Sequence, residues 1–350
     1  MPLVARHGRE GIENGDVSLA TRSVGLWASM SFCCIQVRTG IGAVTNRRLV
    51  RLTSMNMDPK TNAFTQHRSR LFGIGYRMLG SRADAEDVLQ DAWLRWQSSD
   101  TSDIESAEGW LVTAVTRLSI DRLRHAKIER EAYTGPWLPE PLSNADMASP
   151  EVALEREGDV SIAFLTLLET LSPEERAVFV LHDILDEDYA DIVAIIGKTD
   201  AACRQMVHRA RERLTAKRRR FNVDDATRMR MLERFIAAAN RGDRDELVAL
   251  FANDATMLSD GGGKAIASLR PLIGAVRIAN LWYAVARRSN PAVVVRRLIH
   301  INGELGLSTY VHGRLHSVCT IETDGEHILA YYSIANPEKL SSFHTLSQVA

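Results

Sequence analysis

From Phe64 onward the apolar residues fall at helical spacing. Leu71, Phe72, Gly75, Tyr76 and Leu79 share one face, and Gly80 supplies a stop. Ser81 caps a second helix with Asp84 three residues on, a variant of the capping box. Ala85, Val88, Leu89, Ala92 and Trp96 form its apolar stripe, and a third helix starts near Ser106 and runs past Arg124. Residues 133–150 break the pattern. Four of the ten prolines (Pro136, Pro139, Pro141 and Pro150) fall there, which predicts a stiffened linker. Ser172-Pro173-Glu174-Glu175 then reads as an N-cap, a proline at N1 and a capping-box Glu, ahead of a core face of Ala177, Val180, Leu181 and Ile184. A short helix around Tyr189–Ile196 ends at Gly197. Thr199 caps a long helix with the stripe Cys203, Met206, Val207, Ala210 and Leu214, and the pair reads as a helix-turn-helix.

After about residue 225 the pattern changes. Leu232, Phe235, Ile236 and Ala239 mark one helix, and Asp243 with Glu246 caps another that ends near Phe251. Asn302-Gly303 separates the β-patterned runs 293–301 and 304–311, and Asp324-Gly325 separates 314–323 from 326–334. Such dipeptides are strong hairpin signals, so the last third is expected to be an α+β domain with a curved antiparallel sheet. Residues 1–57 are Arg-rich, Gly-interrupted and without sustained periodicity, and are expected to be poorly ordered. Met55 and Met57 just ahead of the first patterned helix are alternative candidates for the start of translation.

A length of 350 residues suits two or three domains. The formal net charge of -1 conceals an asymmetry: Arg204, Arg209, Arg211, Arg213, Lys217, Arg218, Arg219 and Arg220 face only Asp200 and Glu212 within 200–220, which points to a polyanionic partner. Cys33, Cys34, Cys203 and Cys319 make no C-x-x-C pair and no zinc-like spacing. No metal, cofactor or disulfide framework is therefore expected, and a reducing cytoplasm fits. No charge-free stretch is long enough to span a bilayer. The apolar run 24–37 sits too deep in the chain and lacks the cleavage site of a signal peptide.

The second helix has an acidic face, Asp84, Glu86, Asp87, Gln90 and Asp91, with Trp93 beside it. Carboxylates alone suggest a solvated face, but a large aromatic among them suits an interface anchor. The run 77–96, with Asp84-Ala85-Glu86-Asp87-Val88-Leu89-Gln90-Asp91-Ala92-Trp93 at its centre, resembles region 2 of extracytoplasmic-function sigma factors. The resemblance implies docking of this face on the clamp helices of the largest subunit of core RNA polymerase. The next helix, from Trp110 to Arg124, resembles the part of region 2 that engages the −10 promoter element. Arg117, Arg122, Arg124 and Lys127 would supply its phosphate contacts.

Leu171-Ser172-Pro173-Glu174-Glu175-Arg176, then Tyr189-Ala190-Asp191-Ile192, then the basic helix from Ala201 resemble region 4 of the same family. The implied partners are the flap of the second polymerase subunit and −35 promoter DNA. Thr199, Arg204, Gln205, His208, Arg209 and Arg211 would be the contacts, since residues near the start of a recognition helix reach base edges. Asp186-Glu187-Asp188 departs from the family's more usual glycine- and aromatic-containing turn.

Three further motifs are similar to the signatures of one subgroup, which appends a SnoaL-like cone to the two sigma domains: Trp137-Leu138-Pro139-Glu140-Pro141, Asp260-Gly261-Gly262-Gly263-Lys264 and Asn336-Pro337-Glu338-Lys339-Leu340. Glu338 stands where the subgroup usually has Asp. The resemblance implies two all-α sigma domains, region 2 (58–130) and region 4 (156–222), joined by a linker (131–155) and followed by the cone (225–345). It implies that the cone regulates the sigma domains through these motifs, and it leaves room for an unidentified small ligand inside. Gly261, Gly262 and Gly263 permit close backbone approach, and Lys264 could bridge to an acid. Two other readings compete. One is a SnoaL-like enzyme using Asp260, His300, Tyr310 or His316 as acid or base, although no spacing singles out a catalytic pair. The other is a ligand-sensing one-component regulator, which would not need the polymerase-docking pattern of residues 64–130.

Overall fold

The structure, a computed structural model, describes residues 58–143, 160–217, 223–341 and 343. The expectation of disorder for residues 1–57, part of the linker and the basic residues Arg218, Arg219 and Arg220 lie outside the described residues.

Helices α1 (Pro59–Leu79), α2 (Arg82–Ser98) and α3 (Ala107–Glu131) come first. Each starts where a side-chain oxygen accepts an otherwise free backbone N–H: Asp58 from Thr61, Ser81 from Asp84 and Ser106 from Gly109. Gly80 ends α1 in the left-handed conformation, and a Cβ there would come within 2.8 Å of the Trp137 ring. Leu71, Ile74 and Met78 of α1, Leu89 and Trp96 of α2, and Leu111 and Val115 of α3 fill one shared core.

Helices α4 (Ile162–Leu168), α5 (Pro173–Phe179), α6 (Tyr189–Ile196) and α7 (Asp200–Lys217) extend the same core. The α5 capping box is complete, because Ser172 accepts from the Glu175 N–H and Glu175 accepts from the Ser172 N–H. Cys203 is fully buried on the α7 stripe. A π-helical turn, Val180–Ile184, prolongs α5. Beyond it, Asp186 takes a positive φ of 56° and Glu187 reaches Arg70 of α1 at 2.6 Å. The acidic departure from the family turn thus makes a junction between the two helical groups.

Helices α8 (Asp225–Arg241) and α9 (Arg244–Leu250) lead into β1 (Phe251–Asp260) and β2 (Leu272–Ile273). Helix α10 (Ala275–Arg288) precedes β3 (Val294–Ile301), β4 (Glu304–Val311), β5 (Arg314–Thr323) and β6 (Ile328–Ile334). The strand order is β2-β1-β6-β5-β4-β3. The β3–β4 turn, Asn302-Gly303, has φ of 54° and 81°, as a tight hairpin requires. The sheet is mixed rather than wholly antiparallel, because β1 runs parallel to β6. A parallel neighbour carries no hairpin dipeptide, so β1 is not marked by the turn signals. Among the described residues no helix is long and apolar enough to cross a membrane.

Both sheet faces are covered. On one, Leu307, Cys319, Ile321 and Tyr331 pack against Leu232, Phe235 and Ile278 of α8 and α10. On the other, Ile301, Val318, Tyr332 and Ile334 meet Leu138 of the linker, Ile162 of α4, and Leu340 and Phe343. The β3–β4 tip completes the attachment. Asn302 accepts from the Leu142 N–H (2.7 Å) and donates to the Val160 carbonyl (2.7 Å) and the Tyr76 hydroxyl (2.7 Å). That hydroxyl donates to the Glu140 carbonyl at 2.6 Å. Tyr76 and Asn302 are both buried.

Asn302→Ala would remove a hydrogen-bond partner from Leu142, Val160 and Tyr76 and place alanine at positive φ. It is expected to cost more than about 3 kcal/mol, and Tyr76→Phe about 1–2 kcal/mol. Urea denaturation checks both, and unchanged midpoints would refute the anchoring role.

Candidate nucleic-acid interface and the junction that holds it

The acidic face lies on α2. Asp87, Gln90 and Asp91 are exposed at i, i+3 and i+4, so they form one patch. Asp84 instead meets Arg122 of α3 at 2.7 Å, and Glu86 meets Arg68 of α1 at 2.5 Å. Trp93 is half-buried, its ring centre 5.0 Å from that of Phe64. The candidates therefore divide into an outward acidic patch and a flank tied into the helical core.

The candidate arginines of α3 are engaged within the chain. Arg117 donates to the Ala194 and Ile195 carbonyls at the end of α6, at 2.8 and 2.9 Å. Cations are favoured there, where carbonyls lack helical partners. Arg124 pairs with Glu174 of α5 at 2.6 Å, Arg122 with Asp84, and Lys127 is exposed. Pairing with Asp84 raises Arg122 above its ordinary pKa, and pairing with Glu174 does the same for Arg124.

On α7 the candidates line the exposed side. Thr199 accepts from the Ala202 N–H at 3.3 Å. Arg204 pairs with Asp200 at 2.7 Å and stacks on Tyr189 of α6, 4.0 Å from the ring centre. Gln205 is exposed, and His208 faces Glu212 at 3.4 Å. Arg211 grips Asp183 at 2.7 Å, and Arg209 lies 3.6 Å from Glu175.

The three pentapeptide motifs meet at the end of β1. Asp260 is fully buried and accepts from Tyr133 (2.6 Å), the Leu138 N–H (2.9 Å) and Lys339 (2.7 Å). Lys339 also donates to the Leu138 carbonyl and lies 4.1 Å from the Trp137 ring centre. Trp137 in turn stacks under Arg130 at 3.7 Å. Asn336 donates to the Tyr133 hydroxyl at 2.9 Å. Gly262 and Gly263 have positive φ, and a Cβ at Gly262 would strike both the Asn336 amide and the Tyr133 hydroxyl. A Cβ at Gly261 would strike the Ala265 carbonyl. Lys264 pairs with Glu338. Pro139 and Leu340 are buried, whereas Pro337 is exposed.

Burial pulls Lys339 below the ordinary lysine value while Asp260 pulls it back up. Burial and the neighbouring carboxylate push the Tyr133 phenol far up, so it remains a donor. Glu140 of the linker accepts from the Arg82 N–H at 2.8 Å and so caps α2 beside Ser81. The competing acid–base candidates do not converge. Asp260 on β1 is committed to Lys339, and His300 is exposed on β3, four strands and about 19 Å away. Tyr310 and His316 lie on β4 and β5.

Several anchors carried no sequence signal for the anchoring role. Tyr133 is one. Another is Arg176 of α5, buried and donating to the carbonyls of Met78 and Leu168 and to Glu169. Periodicity marks apolar faces, and these are polar groups paired across long sequence separations.

Asp260→Ala would leave the Lys339 ammonium buried without its carboxylate, at an expected cost of about 3–5 kcal/mol, with Lys339→Met on top recovering part. A lysine held below its unfolded value binds fewer protons folded than unfolded, so its contribution to stability rises with pH. The deficit of Asp260→Ala should therefore shrink as pH approaches the ordinary lysine value of 10.5. Urea melts across that range check this, and a pH-independent deficit would contradict it.

The family model described as Sigma-70 region 2 matches residues 63–128, and that described as Sigma-70, region 4 matches residues 161–214. The ECF RNA polymerase sigma factor SigJ of Mycobacterium tuberculosis is 35% identical over 292 residues, covering 81% of this chain and 93% of SigJ. A protein of the same organism described as a probable ECF RNA polymerase sigma factor, SigI, is 34% identical over 193 residues, 55% of this chain and 66% of its own length. The crystal structure of SigJ superposes with a TM-score of 0.66 at 33% identity, covering 81% of this chain and 98% of SigJ. The matched segments contain α2 and α6 and most of α3 and α7, and the SigJ match extends into the sheet domain. The chain belongs to the extracytoplasmic-function RNA polymerase sigma factors.

Proposed function

We propose that the chain directs core RNA polymerase to promoters and that its C-terminal domain holds the two DNA-reading parts in a closed arrangement. The observation that carries the promoter reading is α7. It follows the Gly197 turn and presents Arg204, Gln205 and His208 outward from its first half, where a recognition helix meets base edges. Arg209 and Arg211 grip phosphates beside the −35 element, with Thr199 at the helix start. On α3, Arg117, Arg122, Arg124 and Lys127 serve the −10 element. Asp87, Gln90 and Asp91, flanked by Asp84, Glu86 and Trp93, meet the clamp helices of the largest polymerase subunit, while the second helical group meets the flap of the second. Complementary charge sets this docking, since an acidic patch suits a basic partner. The protein acts in the cytoplasm beside the polymerase, and the cone serves regulation rather than turnover.

Geometry supports the closed arrangement. Arg204 stacks at the first residue of α6 and Arg117 binds near its last. A helix of 8 residues is about 12 Å long. The −35 and −10 elements lie about 25 base pairs apart, roughly 85 Å at 3.4 Å per step. Both cannot be read until α3 and α6 part. Parting releases Arg117 from α6 and Arg124 from Glu174, which frees both for phosphate.

Run-off transcription with purified core polymerase on the gene's own upstream region tests this. Arg204→Ala should weaken initiation through the −35 contact, and Asp87→Ala with Asp91→Ala should weaken core binding without unfolding the chain. Glu174→Lys, which repels Arg124 without altering a DNA-reading residue, should raise initiation at limiting protein by roughly five-fold. Unchanged initiation in Glu174→Lys would show that this contact does not hold the closed form, and unaltered core affinity in the acidic double variant would leave that patch merely solvated.

A further inference from the structure

Arg296 lies on β3, on the sheet face covered by α8 and α10. Its guanidinium donates to Asn240 near the end of α8 and stands 5.7 Å from the Trp282 ring centre on α10. The Nε of Arg296 is buried and donates to nothing among the described residues, and the same holds for the buried indole Nε1 of Trp282. A buried donor without an acceptor costs about 1–3 kcal/mol, so two neighbouring ones call for an explanation. No carboxylate pairs with Arg296 among the described residues. The polar groups facing it besides Asn240 are the Tyr331 hydroxyl and the Cys319 thiol. Burial raises the thiol to about 12 and the phenol well above its ordinary value, so both stay neutral and give Arg296 no countercharge.

Strand register adds an independent observation. Arg296 pairs with Thr309 on β4, and Thr309 pairs with Ser317 on β5. Directly paired residues project from the same face, so the three make a polar row. One pleat further along, Leu298, Leu307 and Cys319 form an apolar row on that face. Phe235, Trp282 and Tyr331 close over it, with ring centres 5.0 to 5.7 Å apart. Arg296, Trp282, Thr309 and Ser317 are each half-buried, so the row lies at the margin of the core rather than deep within it.

We propose that this end of the cone binds a small organic monocarboxylate. The carboxylate would take the N–H groups of Arg296 and Trp282, with the Thr309 and Ser317 hydroxyls beside it. A carboxylate suits the site because its two acceptor oxygens match the edge of a guanidinium, and its charge supplies what the surroundings lack.

Calorimetric titration of the full chain with acetate, benzoate and octanoate, and with uncharged benzamide, tests the assignment without polymerase or DNA, so its failure is distinct from failure of the promoter reading. At least one acid is expected to bind and benzamide is not. Arg296→Met should abolish binding, and Trp282→Phe, which keeps the ring but removes the N–H, should weaken it about ten-fold. Arg297→Met, on the opposite face beside Tyr310, should leave it unchanged. Without ligand, Arg296→Met should melt no lower than the parent, because it removes an uncompensated buried charge. The proposal is overturned if none of the three acids binds, or if binding survives both Arg296→Met and Trp282→Phe, in which case water alone satisfies the donors. A marked drop in the melting temperature of Arg296→Met would also overturn it, by making the arginine structural.

Discussion

The architecture turns on one buried carboxylate. A charge removed from water is tolerated only where donors replace its hydration, and Asp260 has an ammonium, a phenol and a backbone N–H from separate segments. Tyr133 follows α3, Leu138 belongs to the linker and Lys339 lies beyond β6. Each is required, because the loss of any one leaves a desolvated group behind. The sheet domain is thereby fixed to the helical half by an obligation of charge, and the apolar contacts of Leu138, Ile162, Val318 and Ile334 add area around that point. The consecutive glycines after Asp260 have the same origin, since side chains there would occupy the space taken by Asn336, Tyr133 and Ala265.

The helical half shows a related economy. The arginines that suit DNA phosphate are satisfied internally by α6 carbonyls, Glu174 and Asp84. On the proposed reading, phosphate oxygens would replace each such contact at little net cost, because the exchanged partners are similar in strength and lie partly in solvent. Opening therefore demands chiefly the separation of packed surfaces. The buried Arg176, with carbonyl partners on both sides of the divide, opposes that separation more than the exposed ion pairs do.

Much of the helical half was legible in the sequence because caps, stops and apolar stripes are local. Ser81, Ser172, Gly197 and the stripe ending at Leu214 follow from spacing alone. The hairpin dipeptide Asn302-Gly303 located a turn but not its second role as an anchor in the helical half, which depends on Tyr76, 226 residues away. Strand β1 escaped because its parallel pairing with β6 carries no turn signal. The meeting of the three pentapeptide motifs was approached through family likeness, whereas Tyr133, which joins two of them, lies outside all three.

The same separation sets an order of assembly during synthesis. Chains emerge N-terminal end first at about 5–20 residues per second, so the tip of the β3–β4 hairpin follows Tyr76 by tens of seconds. Through that interval the helices that read DNA exist without Asn302, Asp260 or Lys339. If the C-terminal domain holds the closed arrangement proposed above, that closure comes last, and each newly made molecule has a brief early period in which core polymerase competes with the chain's own C-terminal end.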